Sequence, residues 1–378
     1  MNTPNKSSSV HTVCHLTSVH SRYDTRIFLK ECRTLAAAKY LTYLVVADGR
    51  GDELRDGVRI VDAGASRGRL DRMRHAPSRV LKKAIAIDAE IYHLHDPELI
   101  PIGLTLKKYG KKVIFDAHED LPTQLLGKPY LNKPLLWILS KTFSHYERWA
   151  CRQLDGIIAA TPFISKKFQK INENSINVGN YPLLGELSFD DNENSARREK
   201  IAYVGGVSEI RGIRELVQAM TLTNSGVRLQ FAGKFSESEL EISVKSERGW
   251  GHVDELGFLD REGVRTVLSE SIAGIVTFHP TAAHLDALPM KMFEYMSAGV
   301  PVIASNFPLW KEIIDKSQCG VCVDPLNPSA IACAIDDLAK DLDKAEQMGR
   351  NGQRAVQECY NWSIETAKLL EFYDRLSR

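Results

Sequence analysis

The run Asp286-Ala287-Leu288-Pro289-Met290-Lys291-Met292-Phe293-Glu294-Tyr295-Met296-Ser297-Ala298-Gly299-Val300-Pro301-Val302-Ile303-Ala304-Ser305 reads as a loop, a short helix, a glycine stop and a buried strand. Pro289 suits the first turn of a helix, where its missing N–H costs nothing. Gly299 suits the left-handed residue just past the helix end. Val300 to Ala304 is apolar and short, as a strand covered on both faces should be. Backbone N–H groups at a helix start form an anion site. Glu294 follows Pro289 by five residues, about a turn and a half along the helix. A carboxylate there can accept hydrogen bonds from two neighbouring hydroxyls. Phosphate at the helix mouth and a diol beside it describe a nucleotide.

Outward from this run the chain alternates strand and helix. In the first half, Thr12–Leu16, Thr42–Ala47, Val58–Val61, Ile91–Leu94, Lys112–Phe115 and Gly156–Ala160 read as strands. Helical patterns lie at Arg26–Ala38, Pro77–Ile87, Pro97–Tyr109 and Lys133–Arg152. Asn180-Tyr181-Pro182 and the polar stretch Asp190–Lys200 read as a linker. The pattern then restarts, with strands at Ile201–Val204, Arg228–Ala232, His252–Leu256, Ala273–Val276, Val300–Ala304 and Gly320–Val323. Helices are expected at Arg211–Met220, Ser236–Lys245, Arg261–Ser269 and Pro328–Leu342. Such alternation predicts parallel α/β sheets with right-handed crossovers. A chain of 378 residues exceeds the usual single-domain size. The expectation is two facing Rossmann-like domains, with ligands beyond the carboxyl ends of the strands, in the cleft between them.

Composition excludes several classes. No run of 18 apolar residues exists, so no spanning helix is expected. The polar start, Met1 to Ser9, lacks the apolar core of a signal peptide, which points to the cytoplasm. Seven cysteines, an odd number, argue for reduced thiols, with Cys14, Cys333 and Cys359 in apolar settings. Cys319 and Cys322 have C-x-x-C spacing but no second pair to complete a metal site. His93 and His95 at one strand end are weak evidence for a metal, and none is expected. Residues 1–180 hold 28 Lys and Arg against 18 Asp and Glu, a net of +10, whereas residues 181–378 hold 21 against 30, a net of −9. Basic groups cluster from Arg67 to Lys83 and at Lys107, Lys108, Lys111 and Lys112. Aromatic residues are not interleaved with them, so nucleic acid is not the expected partner. An anionic membrane surface or a pyrophosphate-bearing acceptor fits better.

The opening run resembles the donor-binding motif of retaining GT-B glycosyltransferases of family 4, in which two acids are separated by seven residues. Asp286 and Glu294 have that spacing, although Asp286 stands where the family usually has Glu. By resemblance, Glu294 binds the ribose hydroxyls of a nucleotide-sugar and Asp286 faces the donor sugar. Asp24-Thr25-Arg26-Ile27 before a helix is similar to a subset of the family. Asp24 or Thr25 can cap that helix. Arg26 opposes the helix dipole unless it holds an anion, which places it, with His95, on the acceptor or phosphate side. His93-Leu94-His95-Asp96-Pro97-Glu98 and Asp116-Ala117-His118-Glu119-Asp120 resemble the family's cleft loops. His118 matches the histidine that reaches the donor sugar. Gly205-Gly206-Val207-Ser208-Glu209-Ile210-Arg211-Gly212 resembles the phosphate-clamping loop, usually with two basic residues. Arg211 remains, Gly206 replaces the other, and Lys291 is positioned to supply the missing charge. Gly233 ends a strand at the same side, and Phe258 lies in the segment that resembles the nucleobase pocket. After Asn361-Trp362-Ser363, with Ser363 as its cap, the last helix resembles the family's closing helix, which packs back on the first domain.

The resemblance implies an acceptor-binding domain at residues 1–185, a donor-binding domain at 186–360 and a closing helix at 361–378. It implies transfer of a sugar, with retention, from a UDP-sugar or a GDP-sugar to a glycan hydroxyl, probed here by catalytic candidates His118 and Asp286. Arg211, Lys291 and the amides around Leu288, Pro289 and Met290 would hold the leaving diphosphate, with no metal or other cofactor. A lipid-linked polysaccharide intermediate is the expected acceptor, met peripherally at the inner face of the cell membrane. Two rivals stay open: a GT-B-fold sugar-nucleotide epimerase, and a non-catalytic partner subunit that kept the fold.

Overall fold

Short apolar runs rich in branched residues, such as Val113-Ile114-Phe115 and Ile157-Ile158, are buried on both faces. Only a parallel sheet covered by helices can use such runs. The computed structural model describes residues 10–126, 132–188 and 199–377. Part of the expected linker, 189–198, lies outside the described residues. The chain divides into two compact units: one runs to Asn180 and resumes at Glu365, and the other is Tyr181–Ile364.

The first unit holds β1 (Thr12–Leu16), β2 (Leu41–Val46), β3 (Glu53–Arg55), β4 (Val58–Asp62), β5 (Ile91–Leu94), β6 (Lys112–Ala117), β7 (Gly156–Ala159) and β8 (Ser175–Asn177). Their order across the sheet is β3-β4-β2-β1-β5-β6-β7-β8. All neighbours are parallel except β3 and β4, a hairpin at the edge. Its turn is Asp56-Gly57, both with positive φ, the pairing that a tight hairpin favours. The strand order reverses between β1 and β5, so their carboxyl ends flank a crevice at which ligands of such sheets bind.

The helix expected at Arg26–Ala38 is wound differently. Ile27–Cys32 is a π turn, followed by an α-helix at Arg33–Ala37. Glu31 N–H donates to Arg26 O, five residues back, at 3.0 Å. Asp24 Oδ1 accepts from the N–H groups of Arg26 and Ile27 at 2.9 and 3.0 Å, so Asp24 is the cap. The last helix, Trp362–Ser377, belongs to the first unit from Glu365 onward. Its cap is Asn361, whose Oδ1 accepts from Ile364 N–H, rather than Ser363. Glu365 Oε2 accepts from Gly179 N–H, and the Phe372 ring fills the space that a side chain at Gly156 would need.

The second unit holds β9 (Lys200–Val204), β10 (Arg228–Ala232), β11 (Val253–Gly257), β12 (Ser271–Val276), β13 (Val302–Ser305) and β14 (Gly320–Val323), all parallel, in the order β11-β10-β9-β12-β13-β14. Its switch point lies between β9 and β12. All seven cysteines are free thiols. Cys14 is buried, but Cys333 and Cys359 are exposed, against expectation. Cys333 falls on an outward position of the helix Pro328–Lys340, and Cys359 caps the next helix.

That next helix, Leu342–Glu358, is polar enough to escape a periodicity reading. It packs by way of Gly349 and Gly352, which lie against Gly299 O and Met296 Cα. A Cβ at Gly349 would stand 2.0 Å from Gly299 O, which is backbone. Alanine is normally the better helix former by about 1 kcal/mol. Overpacking costs roughly 1–3 kcal/mol and here must move main chain. Gly349→Ala is therefore expected to lower stability in urea unfolding. An unchanged or raised midpoint would show that the two helices separate freely.

Candidate functional site

At the switch point of the second unit, β9 runs into Gly205 and β12 into Thr277-Phe278-His279. The loops after both strands are tied together. His279 N–H donates to Ile210 O at 2.9 Å, and a Cβ at Gly212 would stand 1.9 Å from Thr277 O. This close approach fixes the turn Glu209–Arg211 beside Phe278. Arg211 Nη1 donates to Gly206 O at 2.8 Å, and its guanidinium carbon lies 5.7 Å from the Phe278 ring centre.

The helix Met290–Ser297 begins at Pro289, which has extended backbone and so stands as the cap rather than in the first turn. Trp310 Nε1 donates to Ala287 O at 2.6 Å and pins the loop before it. Lys291 turns inward from this helix and is buried. Its Nζ sits 4.0 Å from the Tyr203 ring centre and 5.6 Å from that of Phe278. Gly205 has φ +117, so this loop needs glycine there, and a Cβ would make only ordinary contact with Lys291 Cε at 3.4 Å. Lys291 Nζ has no hydrogen-bond partner among the described residues. Burial, then the charge of Arg211, pushes its ammonium down to about 7. Two cations thus flank one aromatic ring at the mouth of a helix, a chemistry suited to a bound anion.

One turn along, Glu294 is buried, and its Oε1 accepts from Arg261 Nη1 at 2.7 Å. Arg261 also holds both oxygens of Glu186 at 2.8 Å. The carboxylate expected to take a diol is therefore aimed and anchored by a guanidinium that the sequence did not flag. Tyr203, Phe278, Arg261 and the ion pair His279–Glu215, at 3.0 Å, were likewise missed. Asp286 is half-buried in the turn before Ala287, eight residues from Glu294. Leu288, Pro289 and Met290 lead into the helix, as expected. Gly233 serves the loops themselves: a Cβ there would stand 2.2 Å from Gly205 O. Phe258 is 87% exposed, so no preformed aromatic pocket surrounds it.

In the first unit the switch-point residues turn inward. Arg26 gives Nε and Nη2 to Asp116 at 2.8 and 2.9 Å and Nη1 to Val178 O at 2.9 Å. The guanidinium is 2% exposed. This corrects the expectation that Arg26 meets an acceptor or phosphate: the anion it holds is Asp116. His95 is corrected with it. It is buried, with Nε2 2.9 Å from His15 Nδ1 and Nδ1 3.4 Å from His118 Nε2. Burial alone would raise the Asp116 carboxyl, but Arg26, His118 and His95 hold it well below the carboxylate range.

Glu31 Oε1 lies 3.1 Å from Arg26 Nε, yet the single Nε proton points to Asp116. Burial, then Asp116, raises the Glu31 carboxyl well above its usual value, against the pull of Arg26. His15, His93 and His95 surround Glu31 Oε2 at 3.8–3.9 Å. With it they bring four metal-type ligand atoms within 4.8 Å of one another, and His95, Asp116 and His118 form a second such group. Metal ligation at about 2.0–2.2 Å would require His15 and His95 to give up their mutual hydrogen bond. It would also compete with the 2.8 Å contact between His93 Nδ1 and the Tyr373 hydroxyl. The histidine nitrogens that face Glu31 already have hydrogen-bond partners within the chain, whereas His93 Nε2 and both Glu31 oxygens have none among the described residues.

His118 alone of these histidines reaches the surface, with its side chain 20% exposed. It stacks on His20 at 5.4 Å and faces Asp116 Oδ2 at 3.2 Å. Burial lowers it to about 4, against the pull of Asp116. A neutral imidazole anchored on a carboxylate is able to serve a sugar hydroxyl.

Burial also holds His15 and His93 well below 6.5. Between the ordinary values of 4.5 for the Glu31 carboxyl and 6.5 for imidazole, the unfolded chain binds up to three more imidazole protons. The folded chain in turn binds more on Glu31, Glu98, Glu147 and His20, which act in the opposite direction to the three imidazoles. The stabilising effect of the imidazoles is complete above 6.5 and is lost as pH falls, because the unfolded state gains the protons. His118→Gln is therefore expected to lose less stability in urea than the wild type as pH falls from 7 to about 4.5. Parallel slopes for the two proteins would mean that His118 titrates normally when folded.

Two family profiles match the chain. The one described as Glycosyltransferase Family 4 covers residues 25–178, and Glycosyl transferases group 1 covers residues 186–355. Spore coat protein SA of Bacillus subtilis is 27% identical over 188 residues, which are 46% of this chain and 48% of that one. The chain spans about half the length of the first relatives it matches. Sucrose-phosphate synthase from Thermosynechococcus elongatus has the same fold, with TM-score 0.78 and 16% identity over 97% of this chain and 99% of that one. So has Anabaena Alr3699/HepE in complex with UDP-glucose, with TM-score 0.72 and 13% identity over 96% and 99%. Consecutive family 4 and group 1 glycosyltransferase regions thus lie on two Rossmann-like units, in the fold of the GT-B structures.

Proposed function

We propose that this protein transfers a hexosyl group from a nucleotide-sugar to a glycan hydroxyl, with retention at the anomeric carbon. The observation that carries the reading is the pair Arg211 and Lys291, 5.7 and 5.6 Å from the Phe278 ring centre, with Glu294 one turn beyond. A diphosphate fits the two cations and the helix mouth, and a ribose diol fits the carboxylate. Lys291 meets the phosphate already desolvated, so its interaction with the leaving group is stronger than it would be in water. The UDP-glucose complex of the Anabaena neighbour supports a uridine donor.

Asp286, from the loop before the helix, is the acid for the donor sugar, and His118 of the first unit is the imidazole for a sugar hydroxyl. In a front-face route the departing phosphate accepts the proton of the attacking hydroxyl, and Arg211 and Lys291 stabilise the charge that develops. No metal enters this route. The proposed acceptor is a lipid-linked glycan at the inner face of the cell membrane, reached by a protein that associates peripherally. The basic first half of the chain supports that setting.

Arg211→Ala is expected to weaken UDP binding at least tenfold while leaving uridine binding unchanged, because a charged hydrogen bond is worth about 1.5–3 kcal/mol. Glu294→Ala should weaken both ligands alike, since both carry the ribose. Calorimetry that shows equal losses for UDP and uridine in Arg211→Ala would remove Arg211 from the phosphate site. Incubation with a panel of UDP-sugars and GDP-sugars, with and without acceptor, tests the reaction. A donor sugar converted without acceptor would assign an epimerase instead.

A further inference from the structure

The helix Lys133–Cys151 presents two unlike sides. Leu136, Ser140, Glu147, Ala150 and Cys151 are buried inward. Outward, Trp137 is 57% exposed, Ile138 53% and Trp149 56%, and Lys141, His145 and Arg148 are exposed among them. At 1.5 Å per residue the helix is about 28 Å long, and its outward side carries no carboxylate. Its one acid, Glu147, faces inward and pairs with Lys167.

The following helix, Pro162–Gln169, adds Phe163, 45% exposed. Between the two helices lies a groove of about 610 Å³. It is lined by Ser144, His145, Arg148, Phe163, Lys166 and Lys170, with Lys167 and Ile171 at its floor and no acidic residue. Such a combination has a specific fit. Tryptophan rings prefer the boundary between water and lipid, where the ring is buried and the indole N–H stays wet. Basic groups interleaved with them attract anionic headgroups.

We propose that this face docks on an anionic lipid surface, with Trp137, Ile138, Trp149 and Phe163 in the interface and a headgroup phosphate in the groove of Arg148, Lys166 and Lys170. The proposal rests on the reading of a lipid-linked acceptor and gives that reading its contact surface. It also shifts the contact from the run Arg67–Lys83, where the sequence placed it. There Arg79 is spent on Ala63 O and Ser66, and Asp71 stands within the run, 3.5 Å from Arg79 and 3.0 Å from His75.

The test is co-sedimentation of the full chain with phosphatidylglycerol vesicles and with phosphatidylcholine vesicles, alongside UDP calorimetry on every variant. The expected result is binding to the anionic vesicles only, with a blue shift of tryptophan emission. Trp137→Ser with Trp149→Ser, and separately Arg148→Glu with Lys166→Glu and Lys170→Glu, should each reduce vesicle partition at least tenfold and leave UDP affinity unchanged. Arg69→Glu with Arg72→Glu and Lys82→Glu should retain binding. Loss in this last triple variant alone would return the contact to the run Arg67–Lys83 and overturn the proposal. A wild-type dimer in sedimentation velocity that the tryptophan variants dissociate would also overturn it, because a second copy would then cover the face. Binding of glycerol 3-phosphate in the groove without vesicle binding would assign a free phosphate ester instead. Vesicle binding through this face, with transfer only to soluble glycans, would sink the lipid-linked acceptor and keep the docking surface.

Discussion

A guanidinium buried in the interior must be answered by a partner charge, and in the first unit Asp116 answers Arg26 through both oxygens. Arg26 opens the helix after β1, Asp116 lies at the end of β6, and Val178, which takes the third hydrogen bond, follows β8. One cation therefore fixes three segments at the carboxyl end of one sheet. Removing either partner would leave a buried charge, a loss of roughly 3–5 kcal/mol. The rest of the cluster follows from this pair. The π turn brings Glu31, five residues on, back over Arg26. Burial, then the charge of Asp116, raises the Glu31 carboxyl well above its usual value, against the pull of Arg26. Three imidazoles close round it, and the Tyr373 hydroxyl from the last helix meets His93 and His15 at 2.8 and 3.5 Å. The closing helix thus adds its Tyr373 hydroxyl to the polar cluster around Glu31.

The second unit has the same kind of switch point and leaves it in the opposite condition. Lys291 is buried against aromatic faces with Arg211 as its charged neighbour, and Glu294 nearby only partly offsets the cost. A lysine pushed down toward 7 is destabilising for the free protein, a debt that an anion would relieve on binding. One topology therefore carries a self-satisfied network in one unit and an unanswered charge in the other. Fold alone does not distinguish these, and side chains at corresponding strand ends do.

The alternation of strands and helices was legible because buried parallel strands leave short apolar runs that polar helices separate. Most strand limits shifted by one or two residues at most. What escaped was what periodicity does not encode. β3 is short and lies at an edge, although Asp56-Gly57 announced its hairpin. The helix Leu342–Glu358 buries a narrow stripe of small residues, Ala345, Gly349, Gly352 and Val356, among many polar ones. At the site, the spacing of Asp286 and Glu294 and the loop Gly205–Gly212 were readable, and Lys291 was placed from them. Arg261 was not, because its role depends on reaching across from another helix to Glu294. Arg26 was misassigned for a related reason. A helix-start arginine implies a nearby anion, but the sequence does not say whether that anion is a ligand or a carboxylate ninety residues away.

The same distinction governs the electrostatics of the whole chain. The first half is basic by count, yet Arg22, Arg26, Lys107 and Lys167 all hold carboxylates of that half. The second half is acidic by count, yet its switch point presents two cations to any entering ligand. Net charge acts at long range and is screened within about 10 Å in 0.1 M salt. It bears on which surface the protein approaches. Binding at close quarters is decided by charges that lack an internal partner. Among the described residues Lys291 Nζ meets that condition and Arg211 gives Nη1 only to Gly206 O, so a diphosphate with its ribose is the ligand proposed to complete them beside Glu294.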